Sequence, residues 1–124
     1  MNPLALRARR EGLGLNQPDL ADALGVNPVT LAKWESGTRP IPEGIDADLT
    51  DLENASLRIT NRALTALTEN PEATIIFIYA TDDALWAALP DMATQGLPAA
   101  LHRAAVARAA ALADRPIDLI TKPQ

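Results

Sequence analysis

Few residues in this chain have the types and spacing that covalent chemistry requires. Cysteine is absent, which excludes disulfide frameworks, zinc–thiolate sites and thiol nucleophiles, and makes a reducing cytoplasm the expected setting. His102 is the single histidine, with no second imidazole or thiol to join it around a metal, so a solvated or dimer-facing position is expected. Ser36 has no histidine base in its sequence context, and nothing assembles a nucleophile, an orienting base and an oxyanion site. Gly12 and Gly14 precede a helix, but no strand leads into them as a phosphate loop needs. The acidic run Asp46, Asp48, Asp51 and Glu53 lacks the glycine of a calcium loop. Asp46 and Asp48 instead suit the positive end of a helix dipole. Arg103 and Arg108, five apart, read as a solvated helix face. An enzyme is not expected, nor is a cofactor or a metal.

The remaining chemistry is recognition. In the stretch NPVTLAKWESG, Asn27 can cap a helix, Pro28 suits its first turn and Gly37 can end it. Leu31 and Trp34 lie three apart and share an inner face, where Trp34 is expected as core. Pro28, Val29, Thr30 and Lys33 are left pointing away from it, with no need to be buried.

Neighbouring elements must hold that face in place. Asn2 and Pro3 start a helix over 3–11, stopped by Gly12 and Gly14. Asn16 caps the next, with Asp19 three residues on, and Leu20, Ala21 and Leu24 as its buried face. Gly25 breaks it, and Val26 turns inward before Asn27. After the punctuation TRPIPEG, an apolar stripe of Leu49, Leu52, Ser56, Ile59, Ala63, Ala66 and Leu67 predicts a long helix from Ile45 to Glu69, ended by Asn70-Pro71.

Beyond it, ATIIFIYA reads as a strand, residues 82–89 as a short helix, Pro98 to Ala113 as an Ala-rich helix and PIDLIT as a second strand. The fold class is α+β, mainly α, with domains at 1–70 and 71–124. The continuous run Ile75-Ile76-Phe77-Ile78 suggests a strand covered on both faces. Two strands make a marginal sheet, so residues 72–124 are expected to pair with a second copy through Ile75, Phe77, Tyr79, Ile117 and Leu119.

Apolar residues make up 48% of the 124, enough for a core, though aromatics are only 3%, so Leu, Ile, Val and Ala must fill it. No apolar stretch of signal-peptide length follows MNPLALRARR, and the run Ile75–Ala80 is too short to span a bilayer; a soluble intracellular protein without a membrane partner is expected. The net charge of −5 is unevenly spread. Residues 1–42 set Arg7, Arg9, Arg10, Lys33 and Arg39 against Glu11, Asp19, Asp22 and Glu35, a balance of +1, which leaves −6 for the remainder.

The stretch LGLNQPDLADALGVNPVTLAKWESGTRPIP closely resembles the Cro/XRE helix-turn-helix family, through Gly14-Leu15, Gln17, Leu20-Ala21, Leu24-Gly25-Val26, Thr30-Leu31, Trp34-Glu35, Gly37 and Pro40. Two capped short helices joined by a Gly turn have the geometry of that motif on physical grounds too. The resemblance implies a sequence-specific DNA-binding regulator, with the third helix in the major groove. It assigns base-edge contacts to Pro28, Val29 and Lys33, with Asn27 and Thr30 nearby. Lys33 can donate to guanine and Val29 can meet a thymine methyl, whereas Pro28 departs from the polar residues often found there. Phosphate contacts are implied for Asn16 and Gln17 and for Ser36, Thr38 and Arg39. Arg10 and Glu35 match a buried salt bridge of relatives.

Residues 34–64, WESGTRPIPEGIDADLTDLENASLRITNRAL, look like the exit and following helix of anti-CRISPR-associated transcriptional regulators and related small uncharacterised bacterial helix-turn-helix proteins. The strand–helix–helix–strand order of residues 74–121 agrees with their dimerisation region. The reading is a homodimeric repressor of bacterial or phage type on an inverted-repeat operator in double-stranded DNA. Roughly three to five phosphates per subunit would be neutralised. The alternative is an antitoxin or immunity-type partner that uses the motif only for autoregulation, with the Ile75–Tyr79 edge capturing another chain. A small-molecule-sensing regulator finds no convincing set of pocket residues.

Overall fold

Asparagine opens each of the first three helices of the computed structural model, which describes residues 1–123. The side-chain oxygen of Asn2 accepts from the Ala5 amide at 2.7 Å, that of Asn16 from Asp19 at 2.8 Å and that of Asn27 from Val29 at 2.8 Å. Each satisfies an amide that the helix itself leaves unpaired, and a proline in the first turn costs nothing there. The result is α1 (Pro3–Gly12), α2 (Gln17–Leu24) and α3 (Pro28–Ser36). Gly25 and Gly37 close α2 and α3 in the left-handed region, at φ 70° and 79°. The elements that follow are α4 (Gly44–Glu69), β1 (Ile75–Ile78), α5 (Asp82–Ala88), α6 (Pro90–Thr94), α7 (Ala99–Leu112) and β2 (Asp118–Thr121). The architecture is α+β and mainly α. Among the described residues no helix is long and apolar enough to cross a membrane.

Two compact units, residues 1–54 and 55–124, divide the chain inside α4, a helix that the sequence domains 1–70 and 71–124 assign whole to the first. In the first unit Leu6, Leu20, Leu31 and Leu49 are fully buried, joined by Leu13, Leu15, Ala21, Trp34, Ile45 and Leu52. Each buried leucine contributes roughly 1.5–3 kcal/mol, so α1, α2, α3 and the start of α4 share one small core. Arg9 ties α1 to α4: its guanidinium donates to both carboxylate oxygens of Glu53, at 3.2 and 2.7 Å, and also to Asp46 and the Thr50 hydroxyl. Those acidic residues hold a cation that lies some 40 positions earlier in the chain.

In the second unit Leu85 and Leu101 are fully buried beside Ile59, Leu67, Met92, Leu97, Ala105, Val106 and Ala109. The Thr60 hydroxyl donates to the Ala105 carbonyl at 2.9 Å, a buried bond between α4 and α7. Arg115 gathers three carbonyls at and just beyond the end of α4, donating to Leu67, Asn70 and Ala73 at 2.9–3.0 Å. The N-cap of α7 is Pro98, whose side chain accepts nothing; Asp82 supplies the acceptor instead, taking the Ala99 amide at 2.7 Å. β1 and β2 pair in parallel, Ile75 with Asp118 through to Ile78 with Thr121, and α7 packs on both strands.

Several expectations need correction. His102 is neither solvated nor at an open surface: it is 6% exposed, packed edge-on to Tyr79 with ring centroids 5.6 Å apart. Burial and the neighbouring Arg103 push its pKa below the ordinary value, so it sits in the core as a neutral ring. Arg103 is not a merely solvated side chain; it donates to the Tyr79 carbonyl at 2.6 Å and to that of Ala80 at 3.3 Å. Arg108 likewise reaches the Ser56 hydroxyl at 3.4 Å. Nor is β1 covered on both faces, because Ile75 and Phe77 stand open within the single chain. Ala66 is exposed at the edge of the α4 stripe, while Ala55 and Thr60 are buried on it. The strand–helix–helix–strand order gains a third helix, α6, between the two expected ones, with Pro90 in its first turn.

Candidate nucleic-acid interface

A bare helix face is built by two buried anchors. Leu31 at 0% and Trp34 at 3% exposure fix α3 against α1 and α2, which turns the opposite side outward. Val29 is 61% exposed, Asn27, Pro28 and Lys33 are exposed and Thr30 is half-buried. These five expected base-edge residues therefore lie together at the start and along the outer side of one capped helix. The Asn27 oxygen is committed to its cap, leaving the side-chain amide as the donor it can offer.

The turn after α3 is internally bonded. The Lys33 carbonyl accepts from the Arg39 amide at 3.2 Å and from the Ser36 hydroxyl at 3.2 Å, and the Ser36 and Thr38 hydroxyls share a 2.8 Å bond. Ser36, Thr38 and Arg39 are exposed there as a group beside the helix end. Asn16 and Gln17 open α2 as expected, but the Gln17 side-chain amide points inward and donates to Glu35 at 3.3 Å. Asp19 already places a negative charge in that first turn.

Behind α3, Arg10 and Glu35 form a two-point pair: Nε to Oε2 at 2.8 Å and Nη2 to Oε1 at 2.9 Å. Their side chains are 12% and 5% exposed, and Arg10 also donates to the Leu15 carbonyl at 3.0 Å. Burial by itself would raise the Glu35 pKa; hydrogen bonds from Arg10 and Gln17 outweigh it and hold the carboxyl below its usual range. The same pairing raises the Arg10 pKa against the opposing effect of burial.

Five cations lie in residues 1–42, and the fold engages three of them in ion pairs. Arg9 is held by Asp46 and Glu53, Arg10 by Glu35, and Arg7 meets Glu11 at 3.3 Å. Among the described residues of the first unit, Lys33 and Arg39 are the side-chain cations outside any ion pair. Both flank the bare face. The Arg9 pairing spans distant residues, so no local spacing could have announced it.

Of the residues expected at a dimer surface, Ile75, Phe77 and Leu119 are exposed, at 47%, 46% and 38%. Ile117 is half-buried before β2, and Tyr79 is 8% exposed against His102 in its own unit. No group of three or more His, Cys, Asp or Glu side chains among the described residues could hold a metal ion.

Capped α2 and α3 around a left-handed glycine, with Leu20, Leu31 and Trp34 buried and an outward α3 face, together make a recognisable unit. Residues 6–44 match the helix-turn-helix family. The helix-turn-helix thus runs from Leu6 in the core of α1 to the start of α4, and it supports a DNA-binding regulator. No curated protein matches the chain.

Proposed function

We propose that the chain is a homodimeric transcriptional repressor that reads an inverted repeat, its own promoter included, by placing α3 of each protomer in the major groove. The observation that carries this is the outward face of α3: Pro28, Val29 and Lys33 lie bare, with Thr30 half-buried beside them, on a helix whose other side is locked by Leu31 and Trp34. Lys33 donates to guanine O6 or N7, Val29 meets a thymine methyl, and the Asn27 amide and Thr30 hydroxyl serve neighbouring edges. Ser36, Thr38, Arg39 and the opening turn of α2 at Asn16 and Gln17 take phosphates on either side. A two-fold dimer sets its half-sites roughly 34 Å, one helical turn, or a multiple of it apart. From the resemblance of residues 34–64 to anti-CRISPR-associated regulators, the role proposed for the chain is autoregulatory and anti-CRISPR-associated.

The ion pairs of α1 lower the electrostatic part below the three to five phosphates per subunit that composition suggests. With Lys33 placed on a base, Arg39 is the free cation left for the backbone, so a dimer neutralises about two phosphates through side-chain cations and log K falls with log salt at a slope of roughly −2. Specificity then rests on fit more than on charge.

Fluorescence anisotropy with DNA from upstream of its own gene, at several salt concentrations, tests this. Binding should prefer that DNA over scrambled sequence; Lys33→Ala should weaken it and relax the preference at the base pair it reads, whereas Arg39→Ala should weaken binding to all sequences alike and reduce the slope by about 2, one phosphate for each subunit. Equal, weak binding to any duplex would sink the reading. The interaction-partner alternative would then be tested by co-purification of a second chain.

A further inference from the structure

We propose that the open face of the β1–β2 sheet is where two copies of the chain pack, strands antiparallel across a two-fold axis, with Asp118 of each protomer opposite Lys122 of its partner. This rests on the homodimer reading above and adds to it the surface and its geometry.

Parallel register pairs Ile75 with Asp118 and Phe77 with Ile120, and side chains paired in this way share a face. Along β1 the exposed residues are Ile75 and Phe77, while Ile76 and Ile78 are half-buried. Since α7 packs on both strands, it covers the Ile76 and Ile78 side and leaves Ile75, Phe77 and Ile120 on the other. Leu119 falls on the α7 side by alternation and is outside this surface, although at 38% exposure it is less completely covered there than Ile76 and Ile78.

Both ends of the row are fixed. The Asp118 amide donates to the Thr74 carbonyl at 2.8 Å and the Lys122 amide to that of Ile78 at 3.0 Å, so the ladder holds both residues in register. The Lys122 ammonium sits 5.7 Å from the centre of the Phe77 ring, which places it on the open face with Phe77. Asp118, Ile120 and Lys122 therefore form a line of about 13 Å, negative at one end, apolar in the middle and positive at the other. Neither charge has an ion pair among the described residues.

Such a line complements a copy of itself in one direction only. Rotation by a half-turn about an axis parallel to the sheet, about 5 Å above its open face and running across the strands at Ile120, sets Ile120 on the partner's Ile120 and Phe77 on the partner's Phe77. It brings each Asp118 to the partner's Lys122, giving two equivalent ion pairs and an apolar centre. A parallel stack would instead oppose like charges. Two strands by themselves make a marginal sheet, and stacking a second sheet at about 10 Å gives the open face a partner.

The test is self-association of the full chain without DNA, by sedimentation over a dilution series at low salt. Asp118→Lys and Lys122→Asp each replace two attractions by two repulsions at exposed positions, with circular dichroism melts as the check on folding. Each variant alone should dimerise at least about tenfold more weakly than the wild type. An equal mixture of the two should recover dimer of near wild-type affinity, because the reversed charges complement each other across the axis. Variants that dimerise as the wild type does, or a mixture that fails to recover, would overturn this surface while leaving the homodimer reading in place. A wild-type chain that stays monomeric throughout would remove both.

Discussion

The Arg10–Glu35 pair offers the sharpest test of how the helix-turn-helix is held. Glu35→Ala removes a carboxylate that receives two charged hydrogen bonds, at 2.8 and 2.9 Å, and one from Gln17 at 3.3 Å. The guanidinium left behind is 12% exposed, with the Leu15 carbonyl as its remaining acceptor. An uncompensated charge at such a depth costs about 3–5 kcal/mol. A small domain has only about 5–15 kcal/mol in hand, so the loss is a large fraction of the total. At about 4 °C or more per kcal/mol, the melting transition of the first unit should fall by upward of about 12 °C.

The informative comparison adds Arg10→Met and the double variant Arg10→Met with Glu35→Leu. Removing both charges avoids the stranded ion, so the double variant should recover at least half of the loss shown by Glu35→Ala, in urea denaturation followed by circular dichroism. The pair also has a pH signature. Glu35 titrates lower in the folded chain than its ordinary 4.5, so its contribution is complete above that pH and is lost as the pH falls through the folded value. A Glu35→Ala penalty below about 1 kcal/mol, or a double variant as damaged as the two single losses added together, would refute this account of the seam.

Asn16→Ala should cost about 1 kcal/mol by unmasking the Asp19 amide, and Asn16→Asp should restore it; urea denaturation of the three proteins decides this. Gly25→Ala meets no atom within 4 Å, yet φ of 70° there strains any side chain, so a loss of roughly 1–2 kcal/mol in the same assay is expected from backbone alone. His102 titrates below 6.5 when folded, so the unfolded chain takes up its proton first and stability declines as the pH drops below about 6.5. Melting curves at pH 7 and pH 5 should show that decline, and His102→Leu should remove it.

What was legible in the sequence follows the range of each interaction. Caps and stops act over three or four residues, so Asn2, Asn16, Asn27, Gly25 and Gly37 announced α1, α2 and α3 and, through Leu31 and Trp34, the side of α3 left bare. Burial within the second unit is set by partners far along the chain. An Ala-rich helix such as α7 has little contrast between its faces, so the pattern alone did not reveal that His102 lies inward among Leu101, Ala105 and Val106. For the same reason the pairing of β1 with β2, in parallel across three helices, left no local trace. Charge shows the distinction most clearly. Composition reads residues 1–42 as nearly balanced, but the fold sorts those charges by depth and reach: Arg9 is spent on Asp46 and Glu53, Arg10 on Glu35, and Lys33 and Arg39 stay free. An acidic protein can therefore keep unpaired cations beside the bare face of α3 without a basic composition, because Glu11 and Glu35 are paired and, apart from Asp19 and Asp22 on α2, the other acids belong to the part of the chain after it.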